Sequence, residues 1–391
     1  MEAMIRLNKH LRERPSELMN LKKSGTKIVG YAAGGFAPLE MIYAAGAVPV
    51  CLGMGGDPEV VTESMTYTPI FLCTYCRSQI AYYKLGEAPY YQITDLFVIP
   101  IVDANNKLIA DSFCYFTDVN VFRFGVPHDK RPIDVDYYKY GLTNLKKKLE
   151  ELTGNTITDE KLKKEIEIEN KRRSLLKAIS DLRIGADPVI SSKDYVALHH
   201  AAFYADREIY LEVLQEIYDE LKAKRVTMTE KKYSGPRIMF IGNTLAHGDV
   251  RIHEIVDTTN AEIVYEEFAE GIVPYLNNVD TSIDPLDGLA DCYFTKRIRN
   301  PWDRPWGDRF DCLLAKAKEF DCQVVIWYQT LYRDGSDLQS WTYGKKFKEA
   351  GLNFVKIETN YNAAEKGPMR TRIETAIEML GQSELEAAAT L

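Results

Sequence analysis

Eight short apolar runs, set between longer segments of helical pattern, constrain this chain more than any other feature. KIVGYAAG (27–34), VPVCLGMG (48–55), LFVIPIVD (96–103) and VNVFRFGV (119–126) fall in the first third. RIMFIGN (237–243), AEIVYEEF (261–268), QVVIWYQT (323–330) and NFVKIETN (353–360) fall in the last. Runs this short, rich in β-branched and aromatic residues, read as strands covered on both faces, and such strands belong to parallel sheets joined by helical crossovers. Helical patterns from about Pro38 to Ala45 and from Thr74 to Leu85 supply crossovers in the first third. From Asp136 the chain changes to long charged amphipathic segments, with Thr158 placed as an N-cap for a helix over Glu160 to Ser180. A Lys, Ser, Gly, Pro cluster over Lys231 to Pro236 marks a second boundary. The expected fold is therefore α/β, with two doubly wound, mostly parallel-sheet (flavodoxin-like) domains at 1–135 and 236–391 and a helical segment at 136–235 between them.

Charge and composition exclude several classes of function. The net charge of −8 comes from interspersed acidic and basic residues rather than blocks, so neither a nucleic-acid footprint nor a polybasic membrane anchor is expected. No window of about 18 apolar residues would span a bilayer, and the N-terminus lacks the apolar core of a signal peptide, so the expected location is the cytoplasm. Seven cysteines, at 51, 73, 76, 114, 292, 312 and 322, are an odd number scattered through a long chain, which argues for reduced thiols or a metal site over a disulfide framework.

Three stretches carry candidate chemistry. GYAAGGFAP (30–38) follows a strand and opens a helix, so Gly34 and Gly35 could bring backbone N–H groups up to an anion, although the spacing is not GxGxxG and a plain tight turn explains it equally. CLGMGGDPE (51–59) is a second glycine-rich strand exit on the same expected sheet edge, where ligands of open α/β sheets collect. FLCTYCRSQ (71–79) places Cys73 and Cys76 three apart with Arg77 behind them, a pair that can ligate metal, cycle as a dithiol or simply pack in a helix. Zinc would need more ligands than this motif has, and no second CxxC or HxxxH completes a set. His247, after a strand of the last third, is the candidate for proton transfer; Glu266, Glu267 and Asp249 are nearby carboxylates that a solvated loop rim would also explain. The adjacent His199 and His200 point to different faces of one helix and cannot chelate together. Tyr31, Tyr75, Tyr115 and Tyr328 are expected beside the cleft, with core packing as the alternative.

The runs GYAAGGFAPLEMIYAAGAVPV, FLCTYCRS, DLFVIPIVDANNKL, FGVPHDKR, RIMFIGN, VYEEF, DPLDGLAD, VKIETNYN and GPMRTRIETAIEML, in this order along nearly the whole chain, resemble the 2-hydroxyacyl-CoA dehydratase and benzoyl-CoA reductase family. The resemblance implies two homologous subunits, each holding a [4Fe-4S] cluster between two α/β domains. It also implies an acyl-CoA at the cluster and a separate ATP-hydrolysing activator that injects a low-potential electron. In such a site His247, for proton transfer, and Tyr31, a phenol able to donate to a thioester oxygen in an acyl pocket, are the candidate catalytic groups and Gly34, Gly35, Arg77 and Arg333 the candidate substrate contacts, while the resemblance puts the first cluster ligand on Cys73, with Cys76 beside it. The family's second cysteine falls near Val102 or Asp103 and its third near Arg333, and none of these is a thiol. A carboxylate is a hard ligand for such a cluster and a guanidinium is none. Two accounts follow: a rearranged set of Cys73 and Cys76 with Cys114 or a residue of another subunit, or a chain that has lost its cluster and partners a cluster-bearing homologue, with Arg333 able to pair with Asp103 or a substrate anion. The implied reaction is expulsion of a 2-hydroxyl through a ketyl radical, with reduction of an aromatic acyl ring, a non-catalytic partner role or thiol redox chemistry at Cys73 and Cys76 as alternatives.

Overall fold

All eight apolar runs become strands, and every strand pairing is parallel. The structure is a computed structural model and describes residues 1–185, 187–228, 235–269, 273–298, 300 and 303–389; positions 231–234 of the expected boundary lie outside the described residues. The first sheet holds β1 (Ile28–Ala32), β2 (Val48–Leu52), β3 (Leu96–Ile101) and β4 (Asn120–Gly125) in the order β2-β1-β3-β4. The second holds β5 (Arg237–Gly242), β6 (Glu262–Glu267), β7 (Val324–Thr330) and β8 (Asn353–Thr359) in the order β6-β5-β7-β8. The two orders are the same, so each lobe reverses its winding between its first and third strands, where open α/β sheets bind ligands at the carboxyl edge.

The middle segment forms long helices, as the charged amphipathic pattern predicts. Thr158 caps the helix Asp159–Asp181 by accepting from the Lys161 N–H. That helix belongs to both lobes. Leu162 and Ile166 from its first half join the core under the first sheet, while Leu175, Leu176 and Ile179 join the core under the second. The N-terminal helix Glu2–Lys23 divides in the same way, with Leu18 in the first core and Met4 and Leu7 in the second. Burying one helix in two cores ties the lobes together, since separating them would expose several fully buried leucines and isoleucines at roughly 1.5–3 kcal/mol each. Charged side chains reinforce the splint: Arg173 on this helix donates to Glu40 and to the Tyr293 hydroxyl, which itself donates to Glu40 at 2.8 Å. Among the described residues no helix is long and apolar enough to cross a membrane.

Candidate functional site

The carboxyl edges of the two sheets face each other across a cavity. The loops after β1 and β5, the helices after β3 and β7 and the end of β6 all reach it, through Gly34, Asn243, Asn106, Arg333 and Glu267. A smaller hollow adjoins it through the shared residues Ala33, Gly34 and Ala269, and Tyr31 lines this second space. Burial pushes the Tyr31 phenol well up, so it is a neutral hydrogen-bond donor around pH 7.

Gly34 and Gly35 turn the chain at the cavity rim with φ of 123° and 65°. A Cβ on Gly35 would sit 2.7 Å from Pro274 and 2.9 Å from the Arg297 guanidinium, so only glycine fits. The contacts of this loop differ from the expected anion cradle. Its carbonyls face inward, and Arg297 donates to both the Gly34 and Gly35 oxygens while lying 4.1 Å from the Phe36 ring centroid.

Cys73 is the N-cap of the helix Thr74–Leu85, and the span predicted from sequence matches the helix observed. Its N–H donates to the Asn105 side chain at 3.3 Å, and its Sγ lies 3.2 Å from the Thr330 hydroxyl at the end of β7. Both cysteines are buried, and Cys76 lines the cavity. Burial opposes ionisation, but the Cys76 hydrogen bond, the Arg333 guanidinium and the Thr330 hydroxyl outweigh it and bring the Cys73 thiol down to about 6. Burial and the neighbouring Cys73 push the Cys76 thiol well up. The pair therefore holds one proton between two sulfurs near neutral pH. Arg77, 4% exposed, has Nε and Nη1 without hydrogen-bond partners and feels the Cys73 and Tyr332 charges. It does not line the cavity.

Asp103 and Arg333 meet across the lobes. Arg333 Nη1 donates to Asp103 Oδ2 at 2.9 Å and Nη2 donates to the Thr244 hydroxyl at 3.2 Å. Asp103 also caps the helix Ala104–Phe116 by accepting from the Asn106 N–H at 2.8 Å. The positions at which the resemblance would set the second and third cluster cysteines are thus joined in an ion pair beside Cys73. An Fe–S cubane needs soft thiolates, and this space offers two sulfurs, a capped and paired carboxylate, and a guanidinium. Among the described residues no group of three or more His, Cys, Asp or Glu side chains is placed to hold a metal ion. Cys114 does not complete a set, since it is exposed on the helix Ala104–Phe116. The donor set of this chain alone does not fit a cluster.

His247 lies at an inter-lobe joint and not on the cavity lining. Its N–H donates to the Gly53 carbonyl at 2.8 Å, its own carbonyl accepts from the Gly55 N–H, and its ring packs against those of His200 and Tyr204. Burial lowers its basicity, so it is a neutral packing group, a role that a strand-exit position in sequence does not reveal. His199 packs between Tyr195 and Tyr275, and His200 meets the Leu245 carbonyl. Glu266 takes a two-pronged contact from Arg183, and Glu267 one from Arg309, so these carboxylates are held by arginines rather than free on a rim. Asp249 is gripped by Arg251 and accepts from the Tyr328 hydroxyl. Tyr75 lines the cavity but donates to the Leu52 carbonyl, and Tyr115 is 82% exposed, so its expected place beside the cleft is not met. Arg297, Arg309 and Asn243 were not anticipated. They come from loops and helix starts without sequence punctuation, and only the facing of two sheet edges gathers them.

The sequence matches the family model for 2-hydroxyglutaryl-CoA dehydratase, D-component, over residues 35–380. It is similar to the (R)-phenyllactyl-CoA dehydratase beta subunit of Clostridium sporogenes, at 24% identity over 93% of this chain and 94% of that one. It is also similar to the beta subunit of the (R)-2-hydroxyglutaryl-CoA dehydratase of Acidaminococcus fermentans, at 24% over 93% and 95%. A benzoyl-CoA reductase polypeptide of Thauera aromatica, one of the subunits of that enzyme, matches at 23% over 89% of each chain. With most of its length inside the matched range, the chain belongs to the 2-hydroxyglutaryl-CoA dehydratase D-component family.

Proposed function

We propose that this chain is the part of a 2-hydroxyacyl-CoA dehydratase-type complex that binds and orients an acyl-CoA thioester, while the [4Fe-4S] cluster resides on a homologous partner subunit, which receives the electron delivered by an ATP-hydrolysing activator. The observation that carries this reading is the Asp103–Arg333 ion pair, which joins the lobes where cluster thiols would be needed. The cavity suits an acyl group: Phe36, Ile109, Val102 and Ile298 supply apolar surface, and Asn106 and Asn243 supply polar contacts, with the Asn243 Oδ1 buried and unpartnered. The work of this chain's own residues is then positional. Tyr31 in the adjoining hollow can donate a hydrogen bond to a carbonyl oxygen that gains charge. The similarity to a polypeptide of a benzoyl-CoA reductase supports a second reading, in which the same scaffold serves reduction of an aromatic acyl-CoA.

The test is anaerobic purification with and without the homologous subunit, followed by iron and sulfide analysis and a visible spectrum. The chain alone is expected to be colourless and iron-free, with iron appearing only in the complex. Iron and sulfide on the isolated chain, lost in Cys73→Ala, would refute the assignment of the cluster to the partner.

A further inference from the structure

The positional role proposed above leaves the cysteine pair unused. Cys73 and Cys76 are the N-cap and third residue of a twelve-residue helix, so they stand one turn apart at its start. One-turn spacing at a helix start falls in the Cα separation that a disulfide spans without backbone movement. Of the two, Cys76 reaches the inter-lobe cavity, and Cys73 sits behind it against Thr330. Two guanidinium groups, Arg333 and the buried Arg77 with its unpartnered Nε and Nη1, surround the sulfurs with positive charge, the setting in which sulfur is a good nucleophile. The other five cysteines differ. Cys51, Cys292 and Cys322 are buried on other elements, and Cys114 and Cys312 are exposed on separate helices.

We infer that Cys73 and Cys76 form a reversible disulfide inside the inter-lobe cavity, closed by small hydroperoxides and opened by dithiols. In the first step Cys76 passes its proton to the Cys73 thiolate and, as a thiolate, attacks the hydroperoxide; the O–O bond breaks, the leaving alkoxide takes the proton back from Cys73, and Cys76 sulfenic acid and an alcohol result. In the second, the Cys73 thiolate attacks the Cys76 sulfur, the S–O bond breaks, and the released hydroxide takes a proton from solvent to leave as water. The two electrons lost by the thiols reduce the hydroperoxide. A dithiol returns both hydrogens by exchange and is itself oxidised to a disulfide. Closing the bond removes the Cys73 thiol from Thr330, one of the contacts that cross the lobes, so oxidation alters the seam that shapes the cavity.

The experiment uses the full chain, purified reduced and without air, treated with cumene hydroperoxide, blocked with iodoacetamide and digested with trypsin. Trypsin cuts after Lys27 and Arg77, so Cys51, Cys73 and Cys76 lie on one peptide, and the disulfide reads as loss of two hydrogens with a single alkylated cysteine, placed at Cys51 by fragmentation. The pair is expected to oxidise at least about tenfold faster than Cys51 and Cys322, to recover in dithiothreitol, and to do so equally in Cys114→Ser and Cys312→Ser. Cys76→Ser should leave Cys73 alkylated after unfolding. A pair that stays reduced while Cys114 and Cys312 oxidise, or that passes to sulfinic acid without a disulfide, overturns the inference. Iron measured on the same sample separates this result from the proposed function: iron on the isolated chain refutes that function, whereas an iron-free chain whose pair stays reduced refutes only the disulfide.

Discussion

Breaking the Asp103–Arg333 pair one partner at a time measures how firmly the lobes are joined at the site. The arginine side chain is 9% exposed and the aspartate 16%, so the pair is mostly but not wholly withdrawn from water. Removing one member of a fully buried pair costs about 3–5 kcal/mol, and the residual exposure of Asp103 lowers the expectation for Arg333→Met to about 2–3 kcal/mol. Asp103→Asn keeps the helix cap, because asparagine caps as well as aspartate, and loses only the charge, so about 1–2 kcal/mol is expected. The double variant no longer leaves a lone buried charge and should be less destabilised than the sum by about 1–2 kcal/mol. Guanidinium unfolding of all four proteins, followed by fluorescence and circular dichroism with coincident transitions, gives the cycle. Repeating it with urea in about 1 M NaCl should leave the coupling largely intact, whereas an exposed pair would be screened. Additivity within about 0.3–0.5 kcal/mol would refute the reasoning, since it would mean that the two side chains do not depend on each other.

Three further outcomes follow from the same structure. The Cys73 thiol, held to about 6 against the ordinary 9.0, should show thiolate ultraviolet absorbance rising through about pH 6, and Arg333→Met or Thr330→Val should move that rise upward; an unchanged midpoint would remove both groups as its cause. Burial pushes buried His253, 3.0 Å from the Ser192 hydroxyl, down to about 4 from 6.5. The fold then favours the neutral ring, so its contribution is complete above about pH 6.5 and is lost as pH falls toward 4, up to about 3 kcal/mol in all; His253→Gln should flatten the stability profile over that window in urea titrations. In β5, a Cβ on Gly242 would meet the Tyr328 carbonyl oxygen of β7 at 1.8 Å, so Gly242→Ala should cost more than about 3 kcal/mol or yield insoluble protein, and a soluble variant with unchanged melting temperature would contradict that packing.

The fold was legible because its signals are local. A run such as VVIWYQT can be satisfied only as a buried strand, and Thr158 ahead of a charged amphipathic stretch starts a helix wherever that helix later packs. The site was legible only in part. The CxxC helix announced itself through spacing, and Arg333 through a cation standing where a thiol was expected. The carbonyl-facing turn at Gly34 and Gly35 was not legible, because its direction is set by Arg297, more than 260 residues away in sequence. His247 misled for a related reason. A histidine after a strand reads as a ligand-side group until the other lobe is present, and here Gly53 and Gly55 claim its backbone while His200 and Tyr204 enclose its ring.

The equivalence of the two lobes explains why an ion pair can stand at this place. β3 and β7 are the third strands of two sheets with the same order, and each is followed by a helix whose N-cap faces the other lobe: Asp103 in one, Arg333 in the other. An acidic N-cap agrees with the helix dipole, whereas a cation there opposes it by about 0.3–1 kcal/mol. Arg333 is therefore in an unfavourable place by itself, and the carboxylate opposite is what makes it tolerable. The arrangement is directional, because a carboxylate at 333 would find another carboxylate facing it, and a neutral residue there would leave Asp103 capped but unpaired. A pair of this kind closes the two lobes through charge and geometry beside the cavity that Arg333 also lines.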